Sequence, residues 1–231
     1  MNLELGRAIA DAVLYEGYLL YPYRSTSSKN QSRWQFGVVG PPSAAEAGLG
    51  EAASMTMQTV LATPHDRDAG LVVHLRFLQL QRRQIHDTVG SAVSELVVED
   101  TSWTTWDEAL ERELEFTFSL GGLEAGSTVT IHVDDSSEYE PLTLCDGSNA
   151  GAVVRRTWPL SAELSLRLTP HAGRSVLELQ VRNTHPGEVA DKETATRFSL
   201  IGTHLLLEAH GVAFVSMVDP PEDAAELVAT C

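Results

Sequence analysis

Between Glu113 and Leu120, apolar and polar side chains alternate without a break: Leu114, Phe116, Phe118 and Leu120 share one face, and Glu113, Glu115, Thr117 and Ser119 the other. A period of two puts the two sets on opposite sides of an extended chain, so the segment predicts a half-buried strand. The same pattern recurs over Glu163–Thr169, with Leu164, Leu166 and Leu168 inward. It returns at Leu177, Leu179 and Val181 after the turn residues Pro170–Gly173, which predicts an antiparallel hairpin. Weaker apolar runs predict strands at Met55–Leu61, Leu71–Ile85, Thr128–Val133 and Val153–Trp158, and a short one at Arg33–Val39 ending on Gly40, Pro41 and Pro42. Arg197–Leu207 and Ala213–Val218 read as a second hairpin about His210 and Gly211, which would bring His204 and His210 to opposite arms.

A period near 3.6 appears at the two ends. From Leu3 to Leu20, Leu5, Ile9, Val13 and Gly17 recur every fourth residue with Ala8 and Ala12 beside them, while Glu4, Arg7, Asp11 and Glu16 fall mostly off that stripe. This predicts an amphipathic helix stopped by Pro22. At the other end, Asp219 before Pro220, Pro221, Glu222 and Asp223 reads as a carboxylate cap, first-turn prolines and acids at the positive helix end. The short helix runs to Cys231 without a stop signal, which predicts a longer parent chain. Ser43–Ala53, rich in Ala, Gly and Glu, predicts a flexible connection or a frayed helix. Many short strands without intervening helices argue for a mainly β fold, an antiparallel β-sandwich with an N-terminal amphipathic helix and a short C-terminal helix. One domain spanning 1–231 is expected, with 1–42 packed on a sandwich formed by 43–231.

Composition narrows the partners. With 16 basic and 32 acidic residues among 231, the formal charge is −16, a surface that repels phosphate backbones and anionic lipid. Nucleic acid and membrane are therefore not expected partners. The hydrophobic fraction of 43% is enough for a core. No apolar run approaches the ~20 residues of a membrane span, and Glu4, Arg7 and Asp11 break any signal-peptide pattern. Two cysteines, Cys145 and Cys231, make neither a disulfide framework nor a thiolate zinc site. A reducing, cytoplasmic setting is the expectation.

Candidate chemistry is sparse. The eight histidines form no HExxH or HxH pair, and Cys145 has no adjacent histidine to serve as its base. Asp134, Asp135, Glu138 and Glu140 lack the glycine and spacing of a calcium loop and read as a solvated turn. No nucleophile elbow or phosphate-binding glycine loop is present, and no cofactor or metal is implied. One stretch stands apart. Tyr15, Tyr18, Tyr21 and Tyr23, four of the five tyrosines, lie close to Arg24, Lys29, Arg33 and Trp34; residues 1–43 carry four basic and three acidic side chains, a net +1, against −17 for the rest. Tyr and Arg each bury much area while keeping a polar handle, as binding surfaces require. The same rings would also serve to pack the helix onto the sandwich.

Three passages carry a resemblance: Ala10–Arg24, with its Tyr-Glu-Gly-Tyr-Leu-Leu-Tyr-Pro-Tyr-Arg core; Lys29-Asn30-Gln31 with Arg33-Trp34-Gln35-Phe36-Gly37; and Phe214-Val215-Ser216-Met217-Val218-Asp219-Pro220-Pro221. The chain resembles uncharacterised proteins encoded beside oxygen-tolerant, actinobacterial-type NiFe uptake hydrogenases, closely at both ends and loosely between. The resemblance implies a non-enzymatic accessory role in hydrogenase assembly or maturation, a hydrogenase subunit or maturation factor as partner, and chain beyond Cys231. It makes Tyr21, Tyr23, Arg24, Lys29, Asn30, Arg33, Trp34 and Gln35 the candidate contact residues. The alternative is a small-ligand-binding or enzymatic domain with a cleft between the N-terminal segment and the sandwich, lined by Tyr21, Arg24, Lys29 and a histidine.

Overall fold

A computed structural model describes residues 3–16, 37–64, 66 and 68–231. In chain order its elements are α1 (Leu3–Glu16), α2 (Pro42–Glu46), β1 (Ser54–Ala62), β2 (Gly70–His86), β3 (Ala92–Val93), β4 (Glu95–Val98), β5 (Thr101–Thr104), β6 (Trp106–Ser119), β7 (Ser127–Val133), β8 (Ser137–Thr143), β9 (Asn149–Thr157), β10 (Leu160–His171), β11 (Arg174–Asn183), α3 (Lys192–Arg197), β12 (Ile201–His210) and α4 (Ala225–Val228). All strand pairs are antiparallel. One sheet runs β1-β11-β10-β7; the other runs β12-β2-β9-β8, with β6 and β3 on the remaining edge of β2.

The two sheets face each other across one apolar core. Leu164, Leu166, Leu177, Leu179 and Val181 come from the first sheet, and Leu71, Val73, Leu75, Phe77 and Phe118 from the second. These are the residues whose period-two spacing predicted strands, and the expected β-sandwich with a helix at each end is what forms. β2 is the longest strand and is paired on both edges: β6 along one, β12 and then β9 along the other. Past Phe77 its core face changes character. Gln79 and Gln81 are buried there; Gln79 Nε2 donates to the Trp158 carbonyl at 2.7 Å, and Arg112 Nε donates to Gln79 Oε1 at 2.9 Å. Beyond this polar belt, Ile85, Val98, Leu142, Ala150 and Val153 form a second apolar cluster under the β4–β5 hairpin.

Several boundaries move. The strand expected at Arg33–Val39 lies largely outside the described residues, and Val39 makes a single bridge to Leu200. Of the two alternatives for Ser43–Ala53, the start of the segment takes the helical one: Pro42–Glu46 is a short helix with Ala44 buried. Residues 197–200 belong to the end of α3 and the turn after it, because Asp191 caps that helix through Thr194 N–H at 2.7 Å. β12 then holds both His204 and His210, so the two lie on one strand and not on facing arms. The Ala213–Val218 stretch is no strand: Ala213 and Val215 bond to Ala62 and Val60, which closes the outer edge of β1. At the C-terminal end Asp219 is not the cap. Pro221 is extended (φ −61°, ψ 150°) and precedes a 3-10 turn at Glu222–Ala224 leading into α4.

Gly151 marks a place where close approach forces a glycine. Its φ is +139°, and a Cβ there would lie 2.4 Å from the His86 carbonyl and 2.7 Å from Leu96 Cδ2. Gly151→Ala should cost at least about 2 kcal/mol and loosen the β4–β5 hairpin, measured as a lower midpoint in urea with near-normal far-UV circular dichroism.

Candidate interaction site

The outer face of the six-stranded sheet carries a concentration of charge where β12, β2 and β6 run side by side. It arises from alternation: with Val73, Leu75 and Phe77 turned to the core, His74 and Arg76 turn away from it, and cross-strand register sets Glu113 opposite Arg76 and Glu115 opposite His74. His204 stands opposite Arg76 on the other side. Open to water, this would be an ordinary ionic surface. Instead α1 lies over it, and His74 and Arg76 are 2% and 3% exposed.

Arg76 is the centre of the cluster. Its Nη2 donates to Asp11 Oδ1 of α1 at 2.6 Å and also to Glu111 of β6, and its Nε lies 3.3 Å from Glu113 Oε2. Burial by itself would lower the guanidinium pKa, but the bonds to Glu111 and Asp11 outweigh it and leave the pKa raised. Arg7, one turn earlier on α1, grips Glu113 with both terminal nitrogens, at 2.7 and 2.5 Å. That bidentate bond, helped by the charges of Arg7, Arg76 and His74, holds the Glu113 carboxyl below the usual range. His74 lies between carboxylates, with Nε2 2.9 Å from Glu208 Oε1 and Nδ1 3.2 Å from Glu113 Oε1.

This arrangement sets the orientation of α1. The helix rests on Gly6, Arg7, Ala10 and Asp11: Ala10 is buried, and a Cβ on Gly6 would sit 3.9 Å from Leu206 of β12. Leu5 and Ile9, on the apolar stripe of the helix, are each 58% exposed. The physical reason is the surface beneath, which is ionic and demands counter-charges, so the small and charged positions of the helix meet it. Sequence periodicity identified the two faces of α1 but had no means of knowing which face the sheet would accept. The alternation of His74 and Arg76 with core residues was the available signal for the missed cluster.

The other candidates separate. Tyr21, Tyr23, Arg24, Lys29, Asn30, Arg33, Trp34 and Gln35 all lie outside the described residues. Asp134 and Asp135 occupy the turn between β7 and β8, while Glu140 bonds Arg155 at 2.7 Å. Among the described residues no group of three or more His, Cys, Asp or Glu is set to hold a metal ion, and no helix is long and apolar enough to cross a membrane. The Cys145 backbone N–H donates to Glu99 at 2.7 Å. Hydrogen bonding to that carboxylate pushes the exposed thiol pKa up, away from a reactive thiolate.

The pairing of Glu113 gives α1 a pH dependence. Because its folded pKa is depressed, its contribution is complete above the unfolded carboxylate value of about 4.3 and is lost as pH falls through the lower folded value. Amide protection of α1, measured by NMR and corrected for intrinsic exchange, should hold at neutral pH and fall away in acid before the core strands open. Arg7→Met should lower that protection at neutral pH and flatten its acid dependence.

Comparison of the chain with protein-family models, with curated proteins and with solved structures finds no match.

Proposed function

We propose that this protein is a cytoplasmic, non-enzymatic accessory protein that binds a subunit or maturation factor of a NiFe hydrogenase through its N-terminal region. The observation that carries the reading is the outward stripe of α1. A helix anchored by Arg7 and Asp11 presents Leu5 and Ile9 to solvent and leads in the chain directly to the aromatic and basic residues between Tyr15 and Phe36. Apolar area of this kind supplies affinity, and the cations of the neighbouring segment suit a carboxylate-bearing rim. Further support comes from the C-terminal passage of the resemblance, where Phe214 and Met217 are each 37% exposed and Val218 is 97% exposed.

Two tests bear on this reading. Leu5→Glu with Ile9→Glu, and separately Arg24→Glu with Arg33→Glu, should each reduce co-purification with hydrogenase proteins by tenfold or more while leaving the thermal midpoint within a few degrees of wild type. Undiminished co-purification would refute it. Nucleotides, divalent metals and small anions should leave the midpoint unmoved, whereas a small-ligand site would raise it by mass action.

A further inference from the structure

Strand β7 borders the four-stranded sheet and, among the described residues, pairs with β10 alone. The ladder shows which of its backbone groups are left over. Thr184 N–H donates to the Ser161 carbonyl at 2.9 Å, so the odd-numbered residues of β10 turn their backbone groups to β11 and the even-numbered ones to β7. Ala162 and Leu164 stand opposite Ile131 and Val129. Thr128, Thr130 and His132 therefore direct N–H and C=O out of the sheet edge. Their side chains are on the exposed face, while Val129, Ile131 and Val133 pack on the core.

The edges formed by β8, β1, the start of β12 and β6 are obstructed or charged. By the same logic, the Thr157 N–H to Ser136 carbonyl bond at 2.9 Å makes Ser137, Tyr139 and Pro141 the outward residues of β8; Pro141 has no N–H to offer, and Glu138 and Glu140 flank it. β1 is covered by Ala213–Val215, and Gly37 and Val39 bond Thr203 and Leu200 at the start of β12. β6 carries Asp107, Glu108, Glu111, Arg112, Glu113 and Glu115 along its edge. β7 contains no proline and no Asp, Glu, Lys or Arg.

We propose that β7 is a self-association edge: two copies of the chain join antiparallel about a twofold axis at Thr130, fusing their four-stranded sheets into one continuous sheet. In that register Thr130 faces Thr130, Thr128 faces His132 and Val129 faces Ile131 of the second copy, a self-complementary set that continues both the polar face and the core face. No carboxylate lies within the paired stretch Thr128–His132; Asp134, just past it, sits 3.3 Å from His132 Nε2 of its own chain. A chain of charge −16 thus finds here a strand edge free of like charge. A basic peptide, by contrast, would find no carboxylate on β7 to choose it over β8. The inference is independent of the hydrogenase reading.

Sedimentation equilibrium of the full chain should show a dimer that dissociates on dilution below roughly 100 µM, the range expected of a small edge-to-edge contact. Thr130→Pro removes an outward N–H without touching the β10 ladder, and should weaken dimerisation by tenfold or more with an unchanged thermal midpoint. Thr130→Cys, in a chain with Cys145→Ser and Cys231→Ser, should cross-link on mild oxidation, since hydrogen-bonded antiparallel partners lie about 5.5 Å apart at Cα, within disulfide reach. A wild type that stays monomeric at that concentration, a Thr130→Pro dimer as tight as wild type, or a Thr130→Cys chain that fails to cross-link overturns the proposal.

Discussion

A cation removed from water must be met by counter-charge, and Arg76, 3% exposed on the outer face of the central strand, sets that requirement for its whole neighbourhood. An unpaired buried guanidinium would cost several kcal/mol, and removing one partner from a buried pair costs about 3–5 kcal/mol. Carboxylates arrive from two directions: Glu111 and Glu113 from β6, and Asp11 from α1. Once Asp11 is committed, the rotation of α1 about its axis is fixed. Arg7, one turn away, falls onto Glu113, and Leu5 and Ile9 are left pointing outward. A hydrophobically docked helix could slide or roll with little penalty; one docked through bidentate and buried ion pairs cannot.

The same strand imposes a second constraint. β2 passes from the main core, through Gln79 and Gln81, into the cluster around Ile85 and Val153. A side-chain amide buried without partners would cost about 1–3 kcal/mol, and Gln79 avoids this by accepting from Arg112 and donating to Trp158. The belt keeps the two apolar clusters apart while leaving one uninterrupted hydrogen-bonded strand between them. Register errors are discouraged by this arrangement, since a slip of one residue would drive His74 and Arg76 into the core and expose Phe77.

How much of this was legible follows from which interactions are local. Alternation is local, so Glu113–Leu120, Glu163–Thr169 and Leu177–Val181 read as strands, and their inward residues are buried or, at Leu114 and Phe116, half-buried against the core. Short strands that owe their existence to tertiary pairing, such as β4, β5 and β8, carry too few alternating positions to stand out. The orientation of α1 is not legible in sequence, because a helical stripe says which residues are alike, not what surface awaits them. Asp191 as the cap of α3 and Pro221 as the entry to the C-terminal turn depend on backbone geometry that Asp219 mimicked in sequence. The charge cluster needed one non-local fact, the pairing of β2 with β6, after which the meeting of Arg76 with Glu113 is arithmetic.

A net charge of −16 also restricts where this protein can touch anything else. Contact with another acidic protein is favourable only where carboxylates are neutralised or absent, since like charges brought together in a drying interface cost more than in water. On the outer sheet face Glu113, Glu111 and Asp107 of β6 are paired with Arg7, Arg76 and Arg82, and α1 presents the apolar side chains of Leu5 and Ile9 beyond them. On the opposite sheet, β7 has no carboxylate to neutralise. The two surfaces proposed for contact thus follow from one rule by different routes: at α1 internal ion pairing hides the charge, and at β7 the charge was never placed.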